Sequence, residues 1–109
     1  SEVEVHGNLA PSTAAAVFRG AATGFQCCYE LGHRGNATLA GSIRALVTIQ
    51  PDGSVGDTTL VESTLAQPEV ERCFLRELHR LRFAPVSGGP ARVALHQRFG
   101  PKTTPSAPR

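Results

Sequence analysis

Residues 43–61 spell a β-hairpin, and that reversal constrains everything on either side of it. Ile43, Ala45, Val47 and Ile49 alternate with Arg44, Leu46, Thr48 and Gln50, the period-two signature of a half-buried strand. Gln50-Pro51-Asp52-Gly53 follows. Pro suits the second position of a type I turn, and Gly supplies the positive φ after it. Register then fixes the loop length. Three loop residues, 51–53, pair Gln50 with Ser54, set Val55 opposite Ile49 and Val61 opposite Ile43, and leave Leu46 and Leu60 on the other face. Two loop residues would bring Glu62 to the buried side opposite Ile43.

Helical spacing flanks the hairpin. Asn8 to Pro11 opens a first helix, with Asn8 or Ser12 as a candidate cap and Pro11 suited to the first turn. Ala14, Val17, Phe18, Ala21, Phe25, Cys28 and Tyr29 form one apolar face over about four turns, and Gly32, Gly35 and Asn36 stop it. Pro68 and Glu69 begin a second helix with Val70, Cys73, Phe74, Leu78 and Leu81 on its stripe, ended by Phe83-Ala84-Pro85. Ser87-Gly88-Gly89-Pro90 reads as a loop. Val3 and Val5 alternate with Glu2, Glu4 and His6 in a short first strand; Val93, Leu95 and Phe99 alternate with Ala94, His96 and Arg98 in a last one. The expected fold is α+β: a two-layer β-α-β-β-α-β domain with two antiparallel helices on one face of an antiparallel or mixed sheet.

With 109 residues and 40% hydrophobic content, the chain can build one core. Residues 1–100 read as that domain. Residues 101–109 hold three of the eight prolines and no large apolar side chain, and read as a disordered tail. A start at Ser1 with no Met anywhere reads as part of a longer protein. No apolar run approaches the ~18 residues of a membrane span, so membrane attachment is expected only through an anchor preceding Ser1. A net charge of +2 without an aromatic-plus-basic patch excludes a nucleic-acid partner.

The three cysteines, Cys27, Cys28 and Cys73, carry geometric information. At about 100° per residue, Cys28 lies roughly 50° to one side of its helix's apolar centre and Cys73 roughly 70° to the same side of its own. Same-handed flanks face each other only if the helices run antiparallel, which the hairpin demands. Gly20 and Gly24 share the Cys28 flank and permit close approach at about 1 kcal/mol each in helix propensity. A Cys28–Cys73 bridge follows as the proposal, with two buried thiols as the alternative and Cys27 able to compete for the partner. A zinc site drawn from Cys27, Cys28, His33, Cys73 and His79 is disfavoured: adjacent cysteines lack the usual two-residue spacing, and His79 falls opposite Val70. No Cys-x-x-Cys redox motif exists.

Taken in order, Cys28-Tyr29-Glu30, Leu39-Ala40-Gly41, Ile49-Gln50-Pro51-Asp52-Gly53-Ser54-Val55, Glu62-Ser63-Thr64-Leu65, Val70-Glu71-Arg72-Cys73 and Leu81-Arg82-Phe83-Ala84-Pro85 resemble the AgmX/PglI C-terminal domain. That is a TonB-like C-terminal domain of myxobacterial cell-envelope and gliding-motility proteins, and the resemblance spans roughly residues 5–100. It implies a periplasmic domain of an inner-membrane-anchored protein that contacts envelope partners. The family's paired cysteines match Cys28 and Cys73, and an oxidising periplasm would favour the bridge. Cys27 departs from the pattern.

No catalytic constellation stands out. His6, His33, His79 and His96 are scattered, Asp52 sits in the turn and Asp57 in a strand, and Ser42, Ser54, Ser63 and Ser87 have no evident base. The expectation is a non-catalytic domain without cofactor or metal. Arg72, Arg76 and Arg80 lie at four-residue spacing with Glu69 and Glu77 among them, a solvated helix face or an anion-binding stripe. Leu46 and Leu60, with Arg44 nearby, form a candidate contact patch. The last strand is expected at the sheet edge, where unpaired N–H and C=O groups can accept another chain. TonB-like domains take a partner's extended peptide there. The expected mode is strand addition of an envelope or outer-membrane protein peptide, with Arg92, Ala94, His96 and Arg98 selecting it. A peptidoglycan- or polymer-binding module and a self-assembling homodimer are the alternatives.

Overall fold

The computed structural model describes residues 2–100. Four strands, β1 (Glu2–His6), β2 (Gly41–Ile49), β3 (Val55–Ser63) and β4 (Ala91–Phe99), form one sheet in the order β1-β4-β2-β3 with every neighbouring pair antiparallel. Three helices, α1 (Pro11–Gly20), α2 (Ala22–His33) and α3 (Pro68–His79), complete an α+β domain. The two-layer class read from the sequence is the one observed.

The first helical stretch is two helices rather than one rod. Ala21 leaves helical geometry (φ −97°, ψ 3°), its N–H bonding Phe18 O at 3.0 Å, and α2 begins at the next residue. Gly20, a poor helix former, precedes the break. The apolar face continues through it, with Ala14, Phe18, Phe25, Cys28 and Tyr29 all buried. Pro11 occupies the first turn as expected, but neither Asn8 nor Ser12 caps α1; the Asn8 amide donates to Ser87 Oγ at 2.8 Å and pins the start of the chain to the loop before β4.

Helices α2 and α3 run antiparallel, face to face. Gly24 confronts Glu77, Cys28 is disulfide-bonded to Cys73 with Cα atoms 5.5 Å apart, and Gly32 confronts Val70. That separation is the usual one for a disulfide. Gly32 therefore does not stop the helix; it stays within α2 because a side chain there would strike Val70 and Leu39. Beneath the helices, Ile43, Ala45, Val47 and Ile49 of β2 and Ala91, Val93, Leu95 and Phe99 of β4 form the floor of the core. Phe25 packs on Phe74 (centroids 4.7 Å), and Tyr29 stacks on Phe99 (5.8 Å) while its hydroxyl donates to Leu39 O at 2.6 Å. Burial pushes the Tyr29 phenol up from its ordinary value.

The hairpin turns as read. Gln50 N donates to Ser54 O and Gly53 N to Gln50 O, both at 2.8 Å, and Gly53 takes φ +92°. Val55 lies opposite Ile49. Beyond that pair the register departs from the simple count. β3 carries an extra residue between the Ile49 and Val47 pairs and another at Val61, so Ser63 rather than Val61 opposes Ile43. These bulges reverse two side chains. Leu60 turns inward opposite Ala45 and packs on the core, and Val61 turns out, 62% exposed.

Candidate binding surface

One sheet face is covered by the helices and the other is bare. On the bare face the alternation of each strand leaves Glu2, Glu4 and His6 of β1, Arg92, Ala94, His96 and Arg98 of β4, Ser42, Arg44, Leu46 and Thr48 of β2, and Thr59 and Glu62 of β3. The pairing aligns them in rows. One row crosses all four strands as Glu2, His96, Arg44 and Glu62. His96 Nδ1 lies 3.3 Å from Glu2 Oε1, Arg98 Nη2 lies 3.8 Å from Glu2 Oε2, and Arg44 Nε lies 3.2 Å from Glu62 Oε1. The hydrogen bond from His96, then the charge of Arg98, hold the Glu2 carboxyl below its ordinary value of 4.5. The adjoining row runs Glu4, Ala94, Leu46 and Thr59, and its apolar middle, with Val61 beside it, floors an open concavity of about 280 Å³ between β1 and β3. Leu46 and Val61 are the large apolar side chains left exposed among the described residues.

The four β4 residues singled out in the sequence share this face, but β4 does not end the sheet. β1 pairs along it from Glu2↔His96 to His6↔Arg92, and β2 pairs along its other side. The expectation of an open edge at 91–99 is thus corrected. Length and burial explain the order: β4 is nine residues with four fully covered apolar side chains, whereas β1 is five residues whose Val3 and Val5 are only half-buried. The strand with more to bury takes the middle. The sheet ends at β1 and at the bulged β3.

Other candidate residues are engaged in local structure. The hydroxyl of Ser54 donates to Asp52 Oδ1 at 2.6 Å and closes the turn, which with the Ser54 N–H keeps that carboxyl below its ordinary value. Ser63 Oγ accepts from Leu65 N, and Ser87 Oγ accepts from Asn8. His33 meets Ala37 O at 3.0 Å and His79 meets Gly56 O at 3.2 Å, while Cys28 and Cys73 are spent in the bridge and Cys27 is exposed. Arg72 and Arg76 on α3 and Arg80 just past its end are exposed, and Arg80 pairs with Glu77 at 3.3 Å. Among the described residues no helix is long and apolar enough to cross a membrane.

The fold has a solved counterpart. It is that of a TonB C-terminal domain. The solution NMR structure of the Pseudomonas aeruginosa TonB C-terminal domain superposes with a TM-score of 0.50 at 22% identity, over 95% of this chain and 91% of that one. No family model and no curated protein matches the sequence.

What the sequence reading missed here is Glu2 and the strand it opens, as partners of His96 and Arg98. The complementary charges stand at opposite ends of the chain, ninety-four residues apart, and no local spacing joins them.

Proposed function

We propose that this chain is a non-catalytic interaction domain of a cell-envelope machine, periplasmic and belonging to an inner-membrane-anchored protein, which takes an extended segment of an envelope or outer-membrane protein along the β1–β4 side of its sheet. The observation that carries the reading is a TonB-type fold over nearly the whole chain, with a regular sheet at that end and a bulged one at the other. Bulges blunt an edge against strand addition, which leaves the β1–β4 side as the receptive one. Arg92, Ala94, His96 and Arg98 then read the partner's side chains from the bare face, while main-chain bonds supply affinity. The finer assignment, to the AgmX/PglI domains of gliding-motility machinery, rests on the order of motifs in the sequence. The bridge between Cys28 and Cys73 fits an oxidising compartment.

A second reading, polymer binding, is favoured by the exposed Arg72, Arg76 and Arg80 on the opposite layer. One experiment separates them. Peptides selected from a displayed library against the oxidised domain are titrated into 15N-labelled protein. Shift changes at residues 2–6 and 91–99 support strand addition. Changes confined to α3, abolished by charge reversal at the three arginines, would replace it with polymer or anion binding.

A further inference from the structure

The chain has two asparagines, Asn8 and Asn36, and they use opposite ends of the side-chain amide. Asn8 spends its nitrogen, donating to Ser87 Oγ at 2.8 Å. Asn36 spends its oxygen: Oδ1 accepts from Thr38 N at 3.2 Å and from the Thr38 hydroxyl at 3.0 Å, and its Nδ2 makes no hydrogen bond among the described residues. Asn36, Ala37 and Thr38 are all exposed, in the link between α2 and β2. Main-chain bonds fix that link without help from Nδ2. Asn36 N donates to His33 O at 3.2 Å, Leu39 N donates to Asn36 O at 3.0 Å, and His33 Nε2 meets Ala37 O at 3.0 Å. Leu39 is buried beneath, and its carbonyl accepts from the Tyr29 hydroxyl. The result is a free primary amide nitrogen held on an anchored surface loop.

Asn36-Ala37-Thr38 is also an Asn-x-Thr triplet, the acceptor pattern for N-linked glycans on surface loops of exported proteins. We propose that Asn36 is an N-glycosylation site, taking an oligosaccharide from a lipid-diphosphate-linked donor. In the transfer, the bond from the sugar's C1 to the diphosphate oxygen breaks and a C1–Nδ2 bond forms. The lipid diphosphate leaves with the electron pair, and Nδ2 gives one proton to the base of the transferase. An amide nitrogen is a poor nucleophile, because its lone pair is shared with the carbonyl. As Nδ2 loses its proton, negative charge spreads onto Oδ1, where the Thr38 N–H and hydroxyl already donate, and hydrogen bonds to a charged acceptor are the stronger ones. That gives the Thr two residues on a chemical task beyond closing the loop. The Cys28–Cys73 bridge points independently to an oxidising, exported setting. The inference rests on the exported placement proposed above and not on strand addition, since Asn36 lies outside the sheet.

The test incubates the oxidised 109-residue chain with a purified single-subunit oligosaccharyltransferase that reads Asn-x-Thr and with a lipid-diphosphate-linked oligosaccharide. Intact mass should rise by one glycan. Trypsin cuts after Arg34 and Arg44, so the added mass should fall on the peptide 35–44. Asn36→Gln and Thr38→Ala should both lose the transfer, Thr38→Ser should keep it, and Asn8→Gln should leave it unchanged; amide spectra of each variant show whether the fold is intact. No transfer to the folded chain, or transfer only after reduction and unfolding, overturns the proposal, because the folded loop then does not present Asn36. Transfer that survives in Thr38→Ala overturns the role given to its hydroxyl. The same tryptic peptide, taken from the protein in its natural source, should carry sugar; finding it wholly unmodified there overturns the site as a natural one. None of these results bears on strand addition, which the peptide titration above tests separately.

Discussion

Glu2 is the residue that ties the first strand to the last. Its carboxyl sits below its ordinary value of 4.5 through the His96 hydrogen bond and the Arg98 charge. A carboxyl depressed in the folded chain stabilises it above the unfolded value, and that contribution disappears as pH falls through the folded one. Loosening of β1 is therefore predicted in acid, below about pH 4.5, and not on going alkaline through the carboxylate range. The Glu2 side chain is about two-thirds exposed, so salt screens the effect. Amide exchange of residues 2–6 followed against pH, in low and high salt, checks it; protection unchanged on acidification, or unchanged in Glu2→Gln, removes the latch. At this scale the helix angles pointed to Cys28 and Cys73, the pair that is bonded, but left Cys27 as a competitor that only the resemblance in motif order set aside. The sequence was unreadable where two residues meet only through the fold, as with Glu2 and His96.

At the scale of elements, glycines on one helical face have different tasks. Gly24 and Gly32 look into α3: a Cβ on Gly32 would lie 2.8 Å from Val70 Cγ2 and 2.9 Å from Leu39 Cδ2, both fully packed. Gly20 faces open space. Gly32→Ala is thus predicted to destabilise by about 1–2 kcal/mol, overpacking outweighing the gain in propensity. Gly20→Ala, at the end of α1, is predicted to stabilise by about 0.5–1 kcal/mol. Urea unfolding of both variants with the bridge intact tests the pair; the same sign for both would show that helix propensity, not the interface, sets their cost. Element type and helix face came through from spacing because one side of each element is buried continuously. Strand β3 did not, because its two bulges each slip the alternation by one residue. Nothing in Gly56-Asp57-Thr58-Thr59-Leu60-Val61 announces that Leu60 turns inward and Val61 outward.

For the whole molecule, strand order decides what opens first. The pair β2–β4 lies at the centre, beneath helices joined by the Cys28–Cys73 bridge, and β1 hangs from one side of β4. Sequence periodicity could not supply that order, since it follows from which strand has most to bury rather than from any local signal. The bridge closes a loop of 45 residues and restrains the unfolded chain. Replacing both cysteines, Cys28→Ala/Cys73→Ala, should lower global stability by about 2–4 kcal/mol. Opening of β1, however, breaks its bonds to β4 and lifts Val3 and Val5 off the core beside α1, but leaves α2 and α3 joined, so it does not draw on the bridge. Native-state hydrogen exchange on the two proteins therefore has a differential outcome. Protection of amides shared by β2 and β4 falls with global stability in the double variant. Protection of amides shared by β1 and β4 stays as it was, because it already reports a smaller, local opening. If instead both sets fall together, β1 unfolds only with the whole domain, and the edge strand is as much part of the cooperative unit as the central pair.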